Sequence, residues 1–174
     1  NQNLLSVNPA FAGTNKQLRA QAIVGNTGMP KYGYDKQSYY AGVDFLAKKY
    51  SGFGLSFSND NFGPALRRTQ VDLAYALHFT IKNKVKIVHA YQISYFEYSL
   101  DRTKINFLYN NQYPNDAFNY AFAQSNEIIS SQVKRNVDFS TALLIYGKRF
   151  YAGISVLSLT QPDEGMLGVS KRPI

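Results

Sequence analysis

From Lys36 to Leu159 the chain repeats one unit, a stretch in which apolar side chains alternate with small or polar ones, followed by a turn. Thr69 to Thr80 is the clearest copy. Val71, Leu73, Tyr75, Leu77 and Phe79 fall on one face, and Gln70, Asp72, Ala74, Ala76 and His78 on the other. Period two means β-strand, because successive side chains leave opposite sides of the pleat. The pattern predicts strands over 17–26, 36–48, 52–60, 68–80, 85–99, 133–147 and 150–160. Strands of roughly 9–11 residues with one apolar face suit a membrane barrel better than a soluble sheet, whose strands average about 5–6. The fold class read from this is all-β, a transmembrane antiparallel up-and-down β-barrel.

The connections add an orientation. Tyr50-Ser51-Gly52, Ile81-Lys82-Asn83-Lys84 and Gly147-Lys148-Arg149 read as short turns, and 27–35, 60–67, 100–132 and 161–174 as longer polar loops. Short and long alternate, as in outer-membrane barrels with short periplasmic turns and longer extracellular loops. The loops are therefore the candidate partner-binding face. Asn110 to Asp116 carries turn chemistry within the longest of them. Single-chain bacterial barrels have an even strand number. An odd count leads us to expect roughly half of a larger barrel, its N-terminal portion. The whole of 1–174 reads as one outer-membrane barrel domain, with an irregular segment over 1–15 where Asn8-Pro9 initiates a turn and Ala10 to Gly13 are small and compact. Asn1-Gln2-Asn3 opens no signal peptide, so an exported protein is expected here in processed form.

Composition changes this picture little. Hydrophobic residues are 45% but mean hydropathy is −0.29. No apolar run approaches the roughly 18–20 residues of a membrane helix, which excludes helical spanning and leaves a barrel open. Tyr 14 and Phe 12 with Trp 0 suit a wet–apolar boundary, since tyrosine has an apolar body and a polar tip. A tyrosine-rich soluble β-protein shares that composition. Cys 0 excludes disulfides and thiolate metal sites. The net charge of +8 is spread over turns and loops, and no nucleic-acid motif accompanies it. Basic turns beside anionic lipid or peptidoglycan fit it at least as well.

Asp44, Asp72 and Asp138 each sit mid-strand, opposite the larger apolar residues. In a barrel that face is the lumen, where a carboxylate pairs with Lys, Arg or Tyr. The expectation is an interior polar network rather than an ion path or a catalytic pair. His78 and His89 flank the turn at 81–84 as candidate neighbours across a hairpin. Two histidines without a third ligand make a poor metal site, so hydrogen bonding in the lumen or at the interface is expected. No Gly-x-Ser-x-Gly elbow, Walker loop or dinucleotide fingerprint is present. The expectation is no catalytic, cofactor or metal residues. Gly52 and Gly54 read as strand glycines that relieve crowding in a curved wall. Tyr39, Phe45, Tyr75, Phe79, Tyr91 and Tyr95 read as outward, lipid-facing or girdle residues. In a soluble barrel they, with Val43, Leu73 and Leu77, would be core. The small inward residues Gly42, Ala74, Ala76, Ala90 and Ala142 leave room for a porin-like channel.

Several motifs stand in a specific order. Asn8-Pro9-Ala10-Phe11-Ala12-Gly13-Thr14 is followed by Gly52-Phe53-Gly54-Leu55, Asn59-Asp60-Asn61-Phe62-Gly63-Pro64 and Leu73-Ala74-Tyr75-Ala76-Leu77. Then come Asp138-Phe139-Ser140 to Tyr146, Tyr151 to Val156 and Leu159-Thr160-Gln161-Pro162-Asp163-Glu164. Across nearly the whole chain this resembles the PorP/SprF family, outer-membrane proteins of the Bacteroidota type IX secretion and gliding machinery. Ser158 departs from it, standing where a histidine is expected. The resemblance implies an accessory barrel and no enzyme, in the outer membrane of a Gram-negative bacterium. It implies translocon components, or a secreted adhesin with a type B C-terminal domain, as partners, alongside outer-membrane lipid.

Overall fold

The computed structural model describes residues 4–15, 17–29, 34–81, 84–101 and 132–160. Seven strands follow a short N-terminal helix, α1 (Leu4–Val7), and a 3₁₀ turn (Pro9–Phe11). They are β1 (Arg19–Met29), β2 (Tyr34–Lys48), β3 (Ser51–Phe62), β4 (Leu66–Ile81), β5 (Val85–Leu100), β6 (Gln132–Tyr146) and β7 (Tyr151–Val156). They form one antiparallel sheet in the order β1-β2-β3-β4-β5-β6-β7, curled as a half-barrel. No described helix is long and apolar enough to cross a membrane.

The alternation sorts the two faces as expected. On β4, Ala74, Ala76 and His78 are buried on the concave face, whereas Val71, Leu73 and Phe79 are exposed on the convex one. Leu73 is 57% exposed, which a soluble core position would not be. The register extends this face across the sheet. Val43, Leu55, Leu73, Ile93 and Phe139 form one convex row from β2 to β6. Tyr39, Phe45, Phe53, Tyr91 and Tyr95 are exposed with them. Phe45 stacks on Phe53 at 5.9 Å between centroids, and Phe53 meets Tyr75 at 5.1 Å.

The six longer strands run to 11–16 residues, but their convex apolar band is shorter. It covers Val71 to Ile81 on β4 and, with His89 set within it, Val85 to Tyr95 on β5. That length matches the roughly 9–11 residues needed to cross a bilayer with tilt. Beyond it the convex face turns polar at one level across β3 to β6, through Asn59, Thr69, Glu97 and Arg135. Asn59 Nδ2 donates to Thr69 Oγ1 at 2.8 Å, and Arg135 pairs with Glu97 at 2.7 Å. The strands therefore carry a polar extension past the apolar band.

The expected loops need correction at this end. Residues 27–35 are mostly strand, since Thr27 pairs with Lys36, Gly28 with Asp35 and Met29 with Tyr34. The loop expected over 60–67 contracts to Gly63-Pro64-Ala65, because Asn61 pairs with Arg67 and Phe62 with Leu66. Gly63 closes this turn with φ +62° and donates its N–H to Asp35 O at 2.7 Å. Polar residues read as loop are here the continuation of strands into water. By the strand bounds those two connections, 30–33 and 63–65, are of much the same length as the turns opposite, 49–50, 82–84 and 147–150, so a size difference between the ends would rest on 100–132 and 161–174. Residues 102–131 and 161–174 lie outside the described residues.

Candidate functional site

The concave face is occupied by the chain's own N-terminal segment. Asn8 caps the 3₁₀ turn, its Oδ1 accepting from Ala10 N at 2.8 Å, with Pro9 in the first position. That position loses nothing from a missing N–H and favours proline's fixed φ. Ala10 and Ala12 are 0% exposed and Leu5 is buried with them.

The sheet offers this segment a seat of small side chains. Gly52, Ala76, Ala90, Ala142 and Ser155 lie in one register row across β3 to β7. With so little side chain in the row, the segment's backbone approaches the sheet closely. A Cβ at Gly52 would collide with Ala12 O, and one at Gly54 would lie 3.4 Å from the Ala12 Cβ and 3.0 Å from Leu5. On β7, a Cβ at Gly153 would meet Asn8 Nδ2 at 3.1 Å. The two β3 glycines are thus explained by what lies against them, beyond any curvature of the wall. The space that the small residues leave at this level holds the N-terminal segment.

Three polar contacts fix the segment's end. Gly13, at φ +72°, donates its N–H to Asp44 Oδ2 at 2.9 Å. Arg19 Nε donates to the other oxygen, Oδ1, at 2.7 Å. The Asp44 side chain is only 3% exposed, so both oxygens are matched in a poorly solvated place. On β4, His78 Nε2 lies 2.9 Å from Ala12 O. A carbonyl only accepts, so this nitrogen carries the proton.

His78 and His89 are not neighbours. His78 pairs with Val88 and His89 with Leu77, so the two rings leave opposite faces. The one-residue offset of the hairpin decides this. His89 Nε2 reaches Thr141 Oγ1 at 3.1 Å, beside Tyr91 at 4.6 Å between ring centroids. Among the described residues no three of His, Cys, Asp or Glu gather as a metal site would require.

Beyond the segment the concave face is polar. Ser56 Oγ and Gln70 Nε2 donate to the two oxygens of Asp72 at 3.0 and 2.6 Å. Arg68 Nη2 donates to Gln70 Oε1 at 2.7 Å, and its guanidinium lies 5.5 Å from the Phe96 ring centre and 5.4 Å from that of Tyr98. Arg68, Gln70, Asp72, Phe96 and Asp138 line a cavity of about 420 Å³. Asp138 serves a further purpose. Its Oδ1 accepts from Thr160 N at 3.2 Å and from Thr160 Oγ1 at 2.5 Å, tying down the chain after β7, where Ser158 adopts φ +57°. All three expected carboxylates therefore sit on the concave face, in separate hydrogen-bonded networks.

The family model for the type IX secretion system membrane protein PorP/SprF matches residues 1–167. The chain belongs to the PorP/SprF family. No curated protein and no solved structure matches it. In this PorP/SprF chain the motif around Asn8 to Gly13 is the segment seated on the concave face, and Gly52 and Gly54 are its seat. The sequence linked these motifs only by order; the fold brings them into contact. The PorP/SprF match makes the protein a membrane component of type IX secretion, and the convex apolar band is the surface that such a location requires.

Proposed function

We propose that this protein is an accessory outer-membrane barrel that acts by binding, holding an exported surface protein or docking to the translocon, and that it carries out no catalysis. The observation that supports this is the seated N-terminal segment. A conduit needs an unobstructed lumen, and here Ala10 and Ala12 pack without exposure against the row of Gly52, Ala76 and Ala90. What stays accessible is the polar cavity beyond the segment and the polar strand extensions with Arg67, Glu97 and Arg135. Hydrogen-bonding groups on rigid strands suit the holding of a polypeptide, because little ordering entropy is lost on contact. Residues 100–132 and 161–174 are favoured as further contacts.

The test is affinity capture of the full-length tagged protein from detergent-solubilised outer membranes after brief crosslinking. Enrichment of type IX secretion components or of an exported adhesin is expected over an untagged control. Recovery of neither contradicts the reading. A steady ionic conductance of the purified protein in planar bilayers would favour a channel instead.

A further inference from the structure

The two ends of the sheet differ in charge. At the end with the polar extensions both signs mix and pair, as in Lys36 with Asp60 at 3.5 Å and Arg135 with Glu97 at 2.7 Å. At the opposite end every charge in the turns is positive. Lys48 and Lys49 precede β3, Lys84 precedes β5, and Lys148 and Arg149 precede β7. No Asp or Glu stands in the connections 48–51, 81–85 or 147–151. All five side chains are exposed, and none forms an ion pair among the described residues.

This cationic rim borders the convex apolar band directly. Phe79 and Ile81 lead into the second turn and are 52% and 47% exposed. Tyr50 and Phe150 stand exposed among the cations, and Lys49 Nζ lies 5.4 Å from the Tyr50 ring centre. Aromatic side chains beside cations at the edge of an apolar band mark a membrane–water interface. Cations at that depth meet lipid phosphates before any other anion. We infer that the short-turn end is a binding collar for anionic phospholipid headgroups, which fixes the depth and orientation of the barrel in the leaflet it touches. An acidic protein would also answer to the charge. It would not account for five cations, none of them ion-paired among the described residues, distributed over three turns that each emerge from lipid-facing strands, which favours the lipid.

The inference is tested by titrating the full-length protein, in a neutral detergent, with phosphatidylglycerol and separately with phosphatidylcholine. Bound lipid is counted by native mass spectrometry. Wild type is expected to prefer phosphatidylglycerol, with the preference shrinking as salt rises. Lys148→Gln with Arg149→Gln, and Lys48→Gln with Lys49→Gln, should each weaken phosphatidylglycerol binding by roughly fivefold per cation removed. Lys36→Gln, at the other end, should leave it unchanged. Equal binding of the two lipids by wild type overturns the inference, and that comparison needs no variant to fold. Unchanged phosphatidylglycerol binding in variants that keep the heat-modifiable gel mobility of a folded barrel overturns it too. So does loss of a captured acidic protein by those variants while their lipid binding persists.

Discussion

Asp44→Ala is expected to destabilise the barrel by about 3–5 kcal/mol, the cost of removing one member of a buried ion pair. The change strands two groups at once. Arg19 loses its 2.7 Å partner while its side chain is only 16% exposed, and the Gly13 N–H loses its 2.9 Å acceptor. An unpaired group in a poorly hydrated place keeps its full desolvation penalty. Asp44→Asn should cost less, because its amide oxygen can still accept from Gly13. Removing both charges, as Arg19→Met with Asp44→Asn, should recover part of the loss, since no uncompensated charge then remains. Urea unfolding of the full-length protein refolded in detergent micelles measures all three. A loss below about 1 kcal/mol for Asp44→Ala would place Asp44 among exposed ion pairs and contradict the buried geometry.

Gly52→Ala should produce the second large effect, about 2–3 kcal/mol, at the upper end of what overpacking costs. The added methyl group meets Ala12 O and, at 2.8 Å, His78 Nε2. One of these is backbone, so no side-chain rotation relieves the contact. The segment must lift, and residues before Gly13 should then be cut by protease in the folded protein. Gly25→Ala is the matched control, since nothing lies within 4 Å of a Cβ there, and it should stay within about 0.5 kcal/mol of wild type. If Gly52→Ala keeps the N-terminal residues protected and the stability unchanged, the segment is not seated on β3.

The strands and their two faces were legible in the sequence because period-two alternation is a local property. Val71 to Phe79 announce their face without knowledge of any neighbour. The loops at 27–35 and 60–67 were misread for a related reason. Asn59 to Asn61 and Arg67 are polar on both faces, which reads as loop, yet ladder hydrogen bonds hold a strand in water as well as in a bilayer. The seat of the N-terminal segment was written in the sequence but scattered. Gly52, Ala76, Ala90 and Ala142 are far apart along the chain and align only once the hairpin registers are known. Read one at a time, the three alanines suggest room for a channel and Gly52 a relief of crowding in the wall. The relation between His78 and His89 failed on the same point, since a one-residue offset in register places them on opposite faces. Asp44, Asp72 and Asp138 were assigned to the concave face correctly, because face follows from parity alone.

One crosslink reads directly whether the N-terminal segment lies against the glycine and alanine row. The chain contains no cysteine, so a pair can be introduced without background. A Cβ at Gly54 would lie 3.4 Å from the Ala12 Cβ, at the short end of the roughly 3.5–4.5 Å seen in disulfides. Ala12→Cys with Gly54→Cys in the full-length protein, oxidised in the membrane, should form this bridge nearly completely and leave neither thiol open to a membrane-impermeant maleimide. Quantitative labelling of both thiols in a folded, heat-modifiable barrel would contradict the seated segment, and with it the binding role built on a filled lumen.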